Sequence, residues 1–172
     1  MGYIPINYLR NSNIANYEIH NNVTSIEGWA FCNCDSLMSV IISNNISSIG
    51  PAAFCECNSL TSVAIPDGVM SISYNAFRYC SKLTSVMIGD NVTSIGDYVF
   101  CDCDSLTHVI IPDSVISIGK EVFYNCKNLK EINYRGTKKQ AITLGIGNKS
   151  KKRWRKDSAI EKIICDDGEI LL

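Results

Sequence analysis

The sequence predicts a single α/β solenoid, in which short units stack along one axis and their strands line up as a parallel β-sheet. Three observations carry this. Residues 19–133 form five consecutive units of 23 residues, 19–41, 42–64, 65–87, 88–110 and 111–133, without insertion or deletion. Each unit runs into the next through Leu-x-x-Val-x-Ile, whose last two apolar residues lie two apart, the period of a strand with one buried face. The rest of each unit sets its Phe and Cys three residues apart, closer to helical or 3₁₀ spacing. A unit this small cannot bury its own apolar stripe, so stacked units must bury it against one another.

The elements follow in chain order. Residues 1–18 hold an N-terminal cap, 1–15, and a first ladder strand, because Ile14-x-x-Tyr17-x-Ile19 repeats the strand pattern. Ladder strands are predicted at 16–20, 39–43, 62–66, 85–89, 108–112 and 131–135, about 4.8 Å apart. Within each unit the first residue is Ile, the fifth is Val or Ile, the seventh Ser and the eighth Ile. The thirteenth is Phe (Phe31, Phe54, Phe77, Phe100, Phe123) and the sixteenth is Cys (Cys34, Cys57, Cys80, Cys103, Cys126). The stretch from the ninth to the sixteenth position is predicted to be a short helical return. Residues 134–172 form a C-terminal cap with a helix at 137–145 and a tight hairpin turn at Asp167-Gly168.

Quoted from the fifth unit into the cap, IPDSVISIGKEVFYNCKNLKEINYRGT resembles the BspA-type (treponemal-type) leucine-rich repeat. The likeness covers all five units and extends to Tyr134, Gly136 and Thr137, and to Ile163, Cys165, Asp167, Gly168 and Ile170, which resemble the family's C-terminal cap. One departure is that Gln140 is followed by Ala141 where relatives often have Trp, so Trp154 is expected to fill that space. The resemblance implies a leucine-rich repeat solenoid with its parallel sheet on the concave face. It also implies adhesion or host interaction for exported members.

With 172 residues, 46% of them hydrophobic and 19% charged, the chain is long enough for one packed domain and is not disordered. No apolar run approaches the roughly 20 residues of a membrane helix, and the N-terminus shows no secretory pattern. The predicted compartment is therefore the cytosol, where thiols stay reduced. The net charge of −1 excludes a strongly basic nucleic-acid binder by overall field. It hides a split. Residues 1–130 carry 6 basic against 11 acidic side chains, and residues 131–172 carry 10 against 6.

Nothing reads as a catalytic constellation, so the protein is predicted not to be an enzyme and to need neither cofactor nor metal. The Cys column reads as a ladder of small buried hydrophobes without polar partners. Cys32, Cys55 and Cys101 stand two positions earlier, where other units have Arg78 and Tyr124, and are read as solvent-facing thiols. Cys32 and Cys55 would be neighbours, close enough for a disulfide or half a metal site. The sequons at Asn22, Asn45, Asn91 and Asn148 have meaning only on the secretory route.

The strand positions facing away from the core carry the functional reading. Glu18, Ile41, Ala64, Met87, Ile110 and Asn133 form a central strip with four apolar residues in a row. Ser62, Ser85, His108 and Glu131 run along one side and Arg135 ends the other. An apolar strip with a polar rim marks an interaction face, although β-formers such as Ile are also favoured there for propensity alone. The second candidate is a basic segment, Lys149, Lys151, Lys152, Arg153, Trp154, Arg155 and Lys156, which offers cations and an aromatic to a nucleic acid or acidic surface. The function predicted is a protein–protein interaction module, monomeric or weakly self-associating, without membrane contact. Three alternatives stay open: an inhibitor of a host defence enzyme of the phage or mobile-element kind, a surface adhesin, and nucleic-acid contact through the basic segment.

Overall fold

The computed structural model of the protein describes residues 2–4, 12–147 and 153–172. In chain order its elements are β1 (Gly2–Ile4), β2 (Asn16–Glu18), β3 (Val23–Ile26), β4 (Ser39–Ile41), β5 (Ser48–Ile49), β6 (Ser62–Ala64), β7 (Ser71–Ile72), β8 (Ser85–Met87), β9 (Ser94–Ile95), β10 (His108–Pro112), β11 (Ser117–Ile118), β12 (Glu131–Arg135), α1 (Lys138–Leu144), β13 (Lys162–Cys165) and β14 (Gly168–Leu171). All six ladder strands form where the two-residue period places them, and the solenoid is as expected. Their pairing is parallel and keeps the 23-residue register, as in Ser62↔Ser85↔His108 and Ala64↔Met87↔Ile110.

The ladder differs from the expected continuous sheet in two ways. β2 and β4 pair as a sheet of their own, and the second sheet runs β6-β8-β10-β12-β13-β14. Between β4 and β6 the strand pairing lapses, while Thr61 N still donates to the Met38 carbonyl at 3.2 Å. At the far end β13 adds to β12 in parallel, with Asn133↔Ile164, so the cap hairpin prolongs the ladder. That hairpin turns at Asp166-Asp167, one residue earlier than predicted, because Gly168 at φ 121 already pairs with Cys165.

The returns are not helical. The Ser-Ile pair at the seventh and eighth positions of each unit lies in a second strand, and these stack as a sheet of order β1-β3-β5-β7-β9-β11. The ninth-to-sixteenth segment is a chain of tight turns with left-handed backbone at the eleventh and fifteenth positions of every unit, from Trp29 and Asn33 to Glu121 and Asn125. This alternation aims the odd-position N–H groups at the next unit. Phe31 N donates to Ala53 O at 2.7 Å and Asn33 N to Cys55 O at 2.9 Å. The even-position N–H groups close turns at home, as Cys34 N does on Phe31 O at 3.3 Å. A helix would have bonded every N–H within its own unit, and the returns would then lack a ladder. The only helix among the described residues is α1. It is capped at Thr137, whose side chain accepts from Gln140 N, and at Gly145, with φ 96.

The core is a set of columns. Phe31, Phe54, Phe77, Phe100 and Phe123 are fully buried and stack at centroid spacings of 4.9–5.7 Å. Offset ring pairs of this kind add roughly 0.5–1.5 kcal/mol each beyond area burial. The Cys column has polar partners after all. Cys57, Cys80, Cys103 and Cys126 donate their thiol hydrogens to the carbonyls of Phe31, Phe54, Phe77 and Phe100 at 3.0–3.2 Å. A small side chain with one weak donor fits a buried place beside a carbonyl that has a lone pair to spare.

Candidate functional site

The strip stands where the period places it. On the outward side of the ladder Ile41 is 61% and Met87 46% exposed, Ala64 is exposed, and Ile110 and Asn133 are half-buried. Ile164 continues the column beyond Asn133, an extension the sequence reading missed because the cap strand shows no 23-residue period. Ser62, Ser85 and His108 line one flank with their strands in register, and the Thr107 hydroxyl lies 2.7 Å from His108 Nδ1. Glu131 ends that flank, held 3.1 Å from Lys162 Nζ, which also reaches Glu169 at 3.7 Å. The hydrogen bond to Glu131 raises the Lys162 pKa above its ordinary value.

On the other flank lies a groove over the interruption between β4 and β6. Ile41, Ala64 and Met87 form its floor, with Asn44, Asp67, Asp90 and Arg135 at its wall. Arg135 spans two units to place Nη1 3.0 Å from Asp90 Oδ1. Asp67 Oδ1 accepts from Asp90 N at 2.7 Å, which fixes that carboxylate at the rim. Asp67, Asp90 and Asp113 share the third position of their units, a periodic signal that was available in the sequence.

The basic segment is corrected in part. Lys149, Lys151 and Lys152 lie outside the described residues. Trp154 is 3% exposed and closes the Phe column edge-on against Phe123, at 6.0 Å and 85°, so it offers no ring for a base to stack on. Arg155 is 8% exposed and donates to the Ile160 carbonyl at 3.2 Å, so it is not a surface cation. Arg153 and Lys156 are exposed, but their backbones have another role. The odd-position N–H groups of the fifth unit have no sixth return above them. Glu121, Phe123 and Asn125 donate instead to the carbonyls of Arg153, Trp154 and Lys156, at 2.6, 3.0 and 3.4 Å.

The thiols at the fourteenth position are also corrected. Cys32 is 7% and Cys101 1% exposed, and only Cys55 is half-exposed. The Arg78 side chain between them packs over the rings of Tyr79 and Tyr98 at 4.6 and 5.6 Å and lies partly buried, so a large polar residue there did not mean open solvent. Cys32 and Cys55 are neighbours in side-chain contact, as expected; both are unbridged, and no third donor completes a metal set with them among the described residues.

The BspA type leucine-rich repeat region model matches residues 2–140 in six copies. Among solved structures, the chain is similar to the Treponema pallidum leucine-rich repeat protein, at 29% identity and a TM-score of 0.68, over 72% of this chain and 61% of that one. It is also similar to a leucine-rich cell surface protein of Faecalibacterium prausnitzii, at 31% identity and 0.75, over 78% of this chain and 36% of that one. A Bacteroides ovatus leucine-rich repeat protein shares the fold at 22% identity and 0.73, over 96% of this chain and 41% of that one. The chain thus spans between about a third and three-fifths of these relatives' lengths. No curated protein matches it. With the repeat register, the Phe and Cys columns and a family model spanning all five units in agreement, the chain belongs to the BspA-type leucine-rich repeat family.

Proposed function

We propose that the protein binds a protein partner through the outward face of its ladder sheet, centred on Met87 and Ile110. The observation that carries this is the strip itself. In a molecule whose other strand-borne aliphatic columns are buried, Ile41 and Met87 stand open on the ladder beside a row of short polar side chains, Ser39, Ser62 and Ser85. Covering such a strip yields about 25 cal/mol per Å² of apolar area before the costs of association. Rigid strands hold it, so little ordering is needed on binding. A surface-borne, adhesin-like use of the same face is a second reading, favoured by the description of the F. prausnitzii relative as a cell surface protein.

The test is Met87→Lys with Ile110→Lys. Both changes leave the Phe, Cys and Leu columns untouched, so the melting temperature should hold within a few degrees. Two charges then sit in the centre of the proposed interface, where desolvation is costly. Affinity for a partner recovered by cross-linking should fall at least about tenfold. Unchanged affinity would show that the strip is ordinary surface.

A further inference from the structure

We propose that the groove beside the strip takes a partner segment that carries aliphatic side chains together with Lys or Arg. This deepens the binding reading above and rests on it. The floor of Ile41, Ala64 and Met87 calls for aliphatic side chains. The charge around it selects the rest. The wall of the groove holds Asp67 and Asp90, and Glu18 stands at the foot of the strip beside Ile41. The two cations on this face are already matched, Arg135 with Asp90 and Lys162 with Glu131 and Glu169. Among the described residues no cation stands within ion-pair distance of Glu18 or Asp67. The carboxylate of Asp67 is moreover oriented by the Asp90 N–H. An incoming ammonium or guanidinium would therefore meet an acceptor already in place, whereas an acidic segment would be repelled by the wall and by the −5 balance of residues 1–130. Position and charge together favour a cationic, aliphatic segment over an acidic peptide or a nucleic acid.

The probe is a library of short random-sequence peptides displayed on phage, panned on three proteins: the native chain, Met87→Lys/Ile110→Lys, and Glu18→Gln/Asp67→Asn. Asparagine at 67 keeps an oxygen for the Asp90 N–H, so the last variant removes charge and little else. The native chain is expected to enrich peptides that combine Lys or Arg with Leu, Ile or Val. Synthetic copies of these should bind at least about tenfold more weakly to the lysine variant and roughly threefold more weakly to the asparagine variant, and should weaken as salt is raised. Neutral or acidic peptides lost only on the lysine variant would overturn the cationic inference and leave the binding face standing. No enrichment above the lysine variant would overturn both. Should the lysine pair lower the melting temperature, Met87→Gln with Ile110→Thr takes its place in the panning.

Discussion

Each sixteenth-position thiol from the second unit onward occupies a buried site beside a phenylalanine carbonyl, and burial makes its anion costly. Desolvation raises Cys34 from an ordinary 9.0 to about 11, and raises Cys55 and Cys101 to about 12. A thiol whose folded pKa lies above its unfolded value holds its proton longer in the native state. Stability is then full below about pH 9 and is lost as pH rises toward 11 to 12. The expected result is a melting temperature that is flat from neutrality to about pH 9 and falls steeply beyond it, with a smaller fall in Cys101→Ala. At pH 8 iodoacetamide should modify Cys55 first, and intact mass should show the other eight reacting only on unfolding. Rapid native labelling of Cys101 would sink this account. The sixteenth column was legible in the sequence, since Cys recurs beside Phe without exception. The fourteenth was misread because Arg78 and Tyr124 served there as markers of solvent, whereas Arg78 is covered by stacking on its aromatic neighbours.

Among the elements, strands were legible and returns were not, for a physical reason. Alternation of Val and Ile reports burial, which a period of two registers directly. The left-handed residues of the returns report backbone direction, and their side chains, Trp29, Ala52, Asn75, Tyr98 and Glu121 at the eleventh position, share no chemistry. What they share is the absence of β-branched residues, a weak signal. The cap at 153–157 was legible as charge and one aromatic, because the function of its carbonyls belongs to the backbone. Trp154→Ala tests that cap. It should cost roughly 3–5 kcal/mol, and hydrogen exchange should speed up first at Glu121, Phe123 and Asn125, whose acceptors lie in this segment. Equal loss of protection across all five units would show that the segment closes nothing.

For the molecule as a whole, the stack behaves as a chain of neighbours. Phe77 touches Phe54 below and Phe100 above, at 5.1 and 5.6 Å, and is fully buried. Phe77→Ala should cost roughly 3–5 kcal/mol and should split or broaden chemical denaturation, since the two halves lose their shared ring column. A single unfolding transition at the native midpoint would refute the register. The face chosen for binding was legible as a strip, because one residue in 23 recurs on it. Its acidic wall was not read, because Asp67 and Asp90 look like ordinary turn residues until the structure sets them beside Met87.

The one-way bonding of the returns also makes the molecule electrically lopsided. Three peptide N–H groups in every unit point toward the C-terminal end and three carbonyls answer from the unit above, so these small dipoles add with each turn as they do along an α-helix. Their positive pole falls at the fifth unit and their negative pole at the first. The returns thus polarise the solenoid along its length, and an applied electric field should tend to orient it lengthwise in low-salt solution.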